Sequence, residues 1–245
     1  MSKLTTTGES PDAATRPRAD APAGTAEPRF RVTNYAMLLK PRVMSLVVFT
    51  AASGSTAGSW GSITFNDTSQ PAVLDTDGNY TQGCVLEHCL VQYAGISGSA
   101  AQVVVLNSGP FLNHCRIVDG GTLGIYSTGA SSNFRIQHST IARNSSGGLQ
   151  ILDSKGVRLS YLQVHDTGSD GISINGDNNE SYEFKIQNCQ VHDNQGKGIF
   201  NGGYQAGEIT DNVVKNNNQD GISVYLLSGN AANNLVSSNC SRVPD

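Results

Sequence analysis

The sequence predicts an all-β solenoid of about seven coils, and three observations carry that prediction. Seven hexapeptides recur, LEHCLV, LNHCRI, IQHSTI, LSYLQV, IQNCQV, ITDNVV and AANNLV, beginning at Leu86, Leu112, Ile136, Leu159, Ile186, Ile209 and Ala231, with successive first residues 26, 24, 23, 27, 23 and 22 apart. A glycine follows the end of each of the first six by seven positions, at Gly98, Gly124, Gly148, Gly171, Gly198 and Gly221, and five of these open GIYS, GLQI, GISI, GIFN and GISV. The stretch from Gly58 onward also lacks the apolar period of a helix, being built of short β-branched runs among Gly, Asn and Ser. A unit this short cannot bury its own apolar face, whereas stacked copies share one continuous core.

The elements follow in order. Residues 1–34, rich in Thr, Ala, Pro and mixed charge, offer too little apolar surface to offset the entropy of ordering and read as a disordered leader. Residues 35–57 form a short apolar segment in which Lys40 and Arg42 precede the run from Val43 to Ala52. Ten residues are too few to span a bilayer, which needs about 20. They suit the apolar part of an export signal, with Ser55 and Ala57 placed for cleavage after Ala57. A retained anchor touching the membrane through residues 35–52 is the alternative. The solenoid then occupies residues 58–245.

Within each hexamer, positions 1 and 6 are aliphatic in nearly every copy, and position 4 reads Cys89, Cys115, Ser139, Leu162, Cys189, Asn212 and Asn234. Such a column of small or amide side chains predicts an inward-facing ladder at a bend, since equal repeat positions stack at the spacing of neighbouring strands, roughly 4.8 Å. The recurring glycine predicts a tight corner with positive φ. Cys89 and Cys115 are thus expected inside, and Cys84 and Cys240 nearer the surface.

The pattern resembles the right-handed parallel β-helix family, whose repeats share I-x-N-N-x-I followed by G-I-x-I, and the opening SWGSITF with Trp60 is similar to the first coil of secreted bacterial members. The resemblance implies a single-stranded right-handed parallel β-helix, a fold that carries many unrelated functions. Separately, YAMLLKPRVMSLVVFTA, Tyr35 to Ala51, resembles the start of bacterial protoheme IX farnesyltransferase, or heme O synthase, at its first transmembrane helix. That resemblance implies a fusion or fragment. It stops at Ala52, and the aspartate-rich motifs that hold magnesium and prenyl diphosphate in that family are missing.

Composition narrows the function. Charged residues make up 15% of the chain and the net charge is −4, so no basic face for nucleic acid is expected. The five cysteines form no CxxC pair and the histidines do not lie at zinc-ligand spacing with them, so no cofactor is expected. His88, His114 and His138 share one column and could stack as a metal site or as an aromatic-like ladder.

Candidate chemistry lies where columns gather acid, base and cation. The residue before the glycine reads Ser97, Leu123, Gly147, Asp170, Lys197 and Asp220, which places Lys197 between two aspartates. The residue after the hexamer reads Gln92, Val118, Ala142, His165, His192 and Lys215, so His165 and His192 should stack, each followed by an aspartate, Asp166 and Asp193. Two coils separate Asp170 from Asp220, roughly 9 to 10 Å, near the upper end of the range that lets an inverting glycosidase hold a water. SDGISI and QDGISV are similar to polygalacturonase-type glycosidases, yet the paired aspartates, Gly-His-Gly and Arg-Ile-Lys of that family are absent.

The expected function is a secreted or cell-surface module with a carbohydrate-binding or structural role. The alternative is a polysaccharide lyase, hydrolase or epimerase acting on uronic-acid polymers through His165, Asp166, Asp170, His192, Lys197 and Asp220. Position 243, where the repeat requires glycine, is Val243. An interrupted last coil leads to the expectation of a fragment or of end-to-end self-association.

Overall fold

The computed structural model describes residues 47–49, 55–129, 134–176, 183–203, 206–225 and 229–240. The disordered-leader expectation for 1–34 lies outside the described residues, as does most of the apolar segment. Three parallel sheets run the length of a β-solenoid of about six turns. The first is built from the starts of the hexamers: Val85–Glu87, Phe111–Asn113, Arg135–Gln137, Val157–Ser160, Glu183–Gln187, Ala206–Thr210 and Asn230–Ala232. The second is built from their ends, Cys89–Gln92, Arg116–Val118, Thr140–Ala142, Gln163–His165, Gln190–His192, Val213–Lys215 and Leu235–Ser237. The third holds Ile63–Phe65, Ala101–Leu106, Leu123–Thr128, Gly147–Leu152, Ile172–Asn175, Ile199–Asn201 and Ile222–Val224. A small antiparallel pair, Val73–Leu74 with Tyr80–Gln82, lies outside them.

The register expected from the hexamers is the register observed. Leu86, Leu112, Ile136, Leu159, Ile186, Ile209 and Ala231 are successive partners in the first sheet. Val91, Ile117, Ile141, Val164, Val191, Val214 and Val236 are successive partners in the second. Apart from the last copies these side chains are buried, each contributing about 1.5–3 kcal/mol of hydrophobic stabilisation. The position-4 column points inward as expected, with Cys89, Cys115, Ser139, Leu162, Cys189 and Asn212 all buried.

Two expectations need correction. The glycine column does not provide the corners. Gly124, Gly148, Gly171, Gly198 and Gly221 have no positive φ; the turns are made by non-glycine residues in the left-handed region, from His88, His114, His138 and Tyr161 to Asn188, Asp211 and Asn233 at one corner, and from Tyr93 to Ser238 at the next. The glycines are needed for space. A Cβ at Gly171 would stand 2.6 Å from Val191 Cγ1 and 2.8 Å from Asn194 Nδ2, and one at Gly124 would stand 2.6 Å from Ile141 Cγ2.

The second correction concerns the first coil. Ala101 and Val103 pair with Leu123 and Ile125, so Gln102, not Gly98, stands opposite Gly124, and Ala101 replaces Ser97 in the preceding column. The turn after Val91 is four residues longer than its later counterparts. Gly98 sits in that turn at φ 95.

The space beside the glycines is filled by an asparagine ladder that the sequence reading did not single out. Asn194 Nδ2 donates to Asn217 Oδ1 at 2.9 Å and to the Val164 carbonyl at 3.3 Å; Asn217 Nδ2 donates to Asn239 Oδ1 at 2.9 Å and to the Val191 carbonyl at 3.2 Å. Buried amides are stable here because their donors and acceptors are matched by equivalents one coil away. In the first coils, where Ala94 and Gly120 leave the column empty, Gln102 reaches across: its Nε2 donates to Asn144 Oδ1 at 2.6 Å and its Oε1 accepts the Ala94 N–H at 3.1 Å.

Part of the apolar segment joins the solenoid. Val47–Phe49 pairs in parallel with Cys89–Val91 at the edge of the second sheet, and Phe49 packs against the core. No helix among the described residues is long and apolar enough to cross a membrane.

Candidate functional site

The corner after the second sheet holds the expected histidine pair. His165 and His192 are register partners with ring centroids 5.0 Å apart and planes 1° from parallel. Each ring bonds the aspartate that follows it, His165 Nδ1 to Asp166 Oδ2 at 2.7 Å and His192 Nδ1 to Asp193 Oδ2 at 2.6 Å. The hydrogen bond from His192 holds the Asp193 carboxyl below its ordinary value. The aspartates reach their rings because both occupy the left-handed corner, Asp166 at φ 54 and Asp193 at φ 56. One coil further on Lys215 continues the column, and two coils back Asp119 is clamped by Arg143 at 2.6 and 3.1 Å.

Asp170, Lys197 and Asp220 stack in sequence as expected, since the N–H groups of Gly171 and Gly198 bond the carbonyls of Lys197 and Asp220. Their side chains do not form the expected charge sandwich. Asp170 Oδ1 accepts the backbone N–H of Lys197 at 2.8 Å. The Lys197 ammonium leaves the column, lying 4.2 Å from the centroid of the Phe200 ring and 3.4 Å from Ser223 Oγ. A cation over an aromatic face keeps much of its electrostatic stabilisation while its stem packs. The six residues therefore split into two groups. A depression of about 570 Å³ at this corner is lined by Asp166 and Asp193 with Asn194, Gln195, Asn216 and neighbouring amides, and does not include Asp170, Lys197 or Asp220.

A second face was not anticipated. Just before the hexamer, Arg135, Arg158 and Lys185 are consecutive register partners on the outer side of the first sheet, followed by Glu208. They share a depression of about 300 Å³ with Ser160, Tyr161 and Gln187, and a neighbouring one of about 350 Å³ extends from Arg158 and Lys185 toward Glu208. Lys185 is paired with Glu208 at 2.6 Å and Arg158 more loosely with Glu183 at 3.5 Å. Among the described residues no carboxylate pairs with Arg135, whose guanidinium is held below its ordinary value by burial and by Arg158 beside it. Tyr161 is 54% exposed on the rim, and Gln187 Oε1 is buried without a partner. The signal was present in the sequence as the residue preceding hexamers three to five.

Adjoining this face, His88, His114, His138 and Tyr161 form one stack with centroids 4.9, 4.9 and 4.7 Å apart and planes within 10° of parallel. This is the aromatic ladder of the two readings given to the column. Parallel rings aim their nitrogen lone pairs parallel, so two of them cannot converge on one ion at the bond length of about 2.0–2.1 Å that zinc requires. Burial and the two flanking rings hold the His114 imidazole below its ordinary value.

Residues 72–241 match the family described as right handed beta helix region. The chain belongs to the right-handed β-helix family. No curated protein and no solved structure matches it, so the membership fixes the architecture of this β-helix and leaves its ligand to the chemistry of its faces. The farnesyltransferase resemblance of residues 35–51 finds no support, since the matched region begins beyond it.

Proposed function

We propose that this β-helix is a secreted or cell-surface module that binds an acidic polysaccharide along the outer side of its first sheet without turning it over. The observation that carries the reading is the in-register column of Arg135, Arg158 and Lys185 in one open depression beside exposed Tyr161. Successive coils advance roughly 4.8 Å, comparable to the rise of one pyranose in an extended chain, so cations on consecutive coils can meet acid groups on nearby sugars. Guanidinium groups suit carboxylates and sulfates because their planar forks bond two oxygens at once. Binding is favoured over turnover because Asp170 and Lys197, two of the residues on which the enzymatic alternative relies, are engaged with a backbone N–H and with Phe200. Export is supported by the basic and apolar order of residues 40–52, acting as a signal that is kept rather than cleaved, because Val47–Phe49 is an edge strand of the second sheet.

The test is titration calorimetry with polygalacturonate and with a neutral glucan, on wild type and on Arg135→Gln/Arg158→Gln. Hydrogen bonds to charged groups are worth about 1.5–3 kcal/mol each, so the double variant is expected to bind the polyuronate at least about tenfold more weakly, with its melting temperature kept. Wild type should ignore the glucan and release no new reducing ends from either polymer. Equal binding of both polymers, or unchanged affinity in the double variant, would overturn the reading.

A further inference from the structure

The histidine stack continues the basic face toward the first coils. Tyr161 belongs to both: it lines the depression holding Arg135, Arg158 and Lys185, and its ring stacks on His138 at 4.7 Å. All four residues of the stack are exposed. Because neighbouring faces cover one another, these exposed side chains meet solvent chiefly along their ring edges. The same corner in later coils carries Asn188, Asp211 and Asn233, so the backbone there does not demand an aromatic ring.

We propose that the stack is an acid-dependent extension of the binding strip: protons entering it below neutral pH prolong the line of cations, and an acidic polymer is held more tightly as pH falls. The inference rests on the reading that the first sheet binds acidic polysaccharide. Histidine is the side chain whose ordinary titration falls between pH 5 and 8. The charged and titratable groups around His114 are His88 and His138 on either side and Glu87 on the first-sheet strand of the preceding coil. Glu87 Oε1 also accepts the Asn113 side-chain amide at 2.7 Å. Arg116 lies two residues beyond His114 and Arg135 three residues before His138. Neighbouring like charges disfavour one another, so protonation of His114 between its two ring neighbours is opposed in the free protein. A polyanion laid along the ring edges relieves that repulsion, coupling proton uptake to binding.

The experiment measures the dissociation constant of a dextran sulfate oligomer, which stays ionised throughout, at pH 7.5 and 5.0. Wild type is expected to bind roughly five- to tenfold more tightly at pH 5.0, from one or two added charges screened by water. His88→Asn/His114→Asn/His138→Asn, using the residue that occupies this corner at 188 and 233, should bind at pH 7.5 like wild type and change less than about twofold on acidification. His165→Gln/His192→Gln should keep the acid response. Binding without pH dependence, or a response surviving the triple substitution, overturns the inference and leaves the binding reading standing; no binding at either pH overturns both. Wild type alone supplies a second measurement should the triple variant fail to fold. Linkage requires bound polymer to shift the imidazole titrations of the stack upward, as read by proton resonance, and titrations unmoved by polymer also overturn the inference.

Discussion

Glycine stands at position 171 because a methyl group has no room there. Its Cβ would meet Val191 from the second sheet and Asn194 from the ladder, both in the crowded interior, and the Gly198 carbonyl at 2.8 Å. Forcing atoms into a packed core costs about 1–3 kcal/mol, so Gly171→Ala is expected to lower stability by that amount in denaturant unfolding. Gly61→Ala, where no atom lies within 4 Å of the new carbon, should stay within about 0.5 kcal/mol of wild type. Equal effects at the two sites would show that the column is not held by steric exclusion. Thiols give an independent reading of the same interior. Cys89, Cys115 and Cys189 are buried thiols, whereas Cys84 is half-buried and Cys240 exposed. Burial pushes the Cys189 thiol up to about 12, and a hydrogen bond with Cys89 together with burial pushes Cys115 up as well. A thiol reagent should therefore label Cys240 first and Cys84 next, and the other three only on unfolding. Rapid labelling of all five in the native state would refute the register.

At the scale of the element, the inward faces of the strands carry the core, while the corners and the outer face of the first sheet carry the polar side chains. Each corner is one left-handed residue, so a long side chain there stacks on its equivalent in the next coil, as His88, His114, His138 and Tyr161 do. This arrangement sets a pH dependence of stability. With its folded-state value lowered, His114 binds fewer protons folded than unfolded as pH falls through the ordinary histidine value of about 6.5, and stability falls over that interval. Asp119, its value lowered by the Arg143 hydrogen bond, stabilises the fold above the unfolded carboxylate value of about 3.9, and that contribution is lost as pH drops below it. Thermal melts should accordingly decline in two steps, the upper flattened in His114→Asn and the lower in Arg143→Gln. A single step untouched by either substitution would contradict this account. The aliphatic positions of the hexamers revealed the register of two sheets, because a side chain that must face the core has one choice of direction. They did not reveal the glycine's partner in the first coil, since the four added residues leave both Gly98 and Gln102 compatible with the pattern. Nor did they reveal where Lys197 points: a repeat fixes the Cα column, while four rotatable bonds and Phe200 decide the rest.

For the molecule as a whole, the solenoid turns single positions into lines. One substitution class at one repeat position becomes a ladder of amides inside, a stack of rings at a corner, or a row of cations on a sheet, and the basic row was readable in the sequence once the residue before each hexamer is tabulated. The stacking of His165 on His192 was also readable and is as expected, whereas the bond from each ring to the aspartate after it was not foreseen. The ligand is proposed to lie on the first sheet and not at the corner of His165 and His192. Hydroxyl-radical footprinting with and without polygalacturonate tests it most directly, because Tyr161 at 54% exposed and Tyr225 at 69% exposed are both oxidisable and differ in the predicted contact. The polymer is predicted to suppress oxidation of Tyr161 several-fold while leaving Tyr225, His165 and His192 unchanged. Protection of His165 and His192 with Tyr161 still fully oxidised would contradict it.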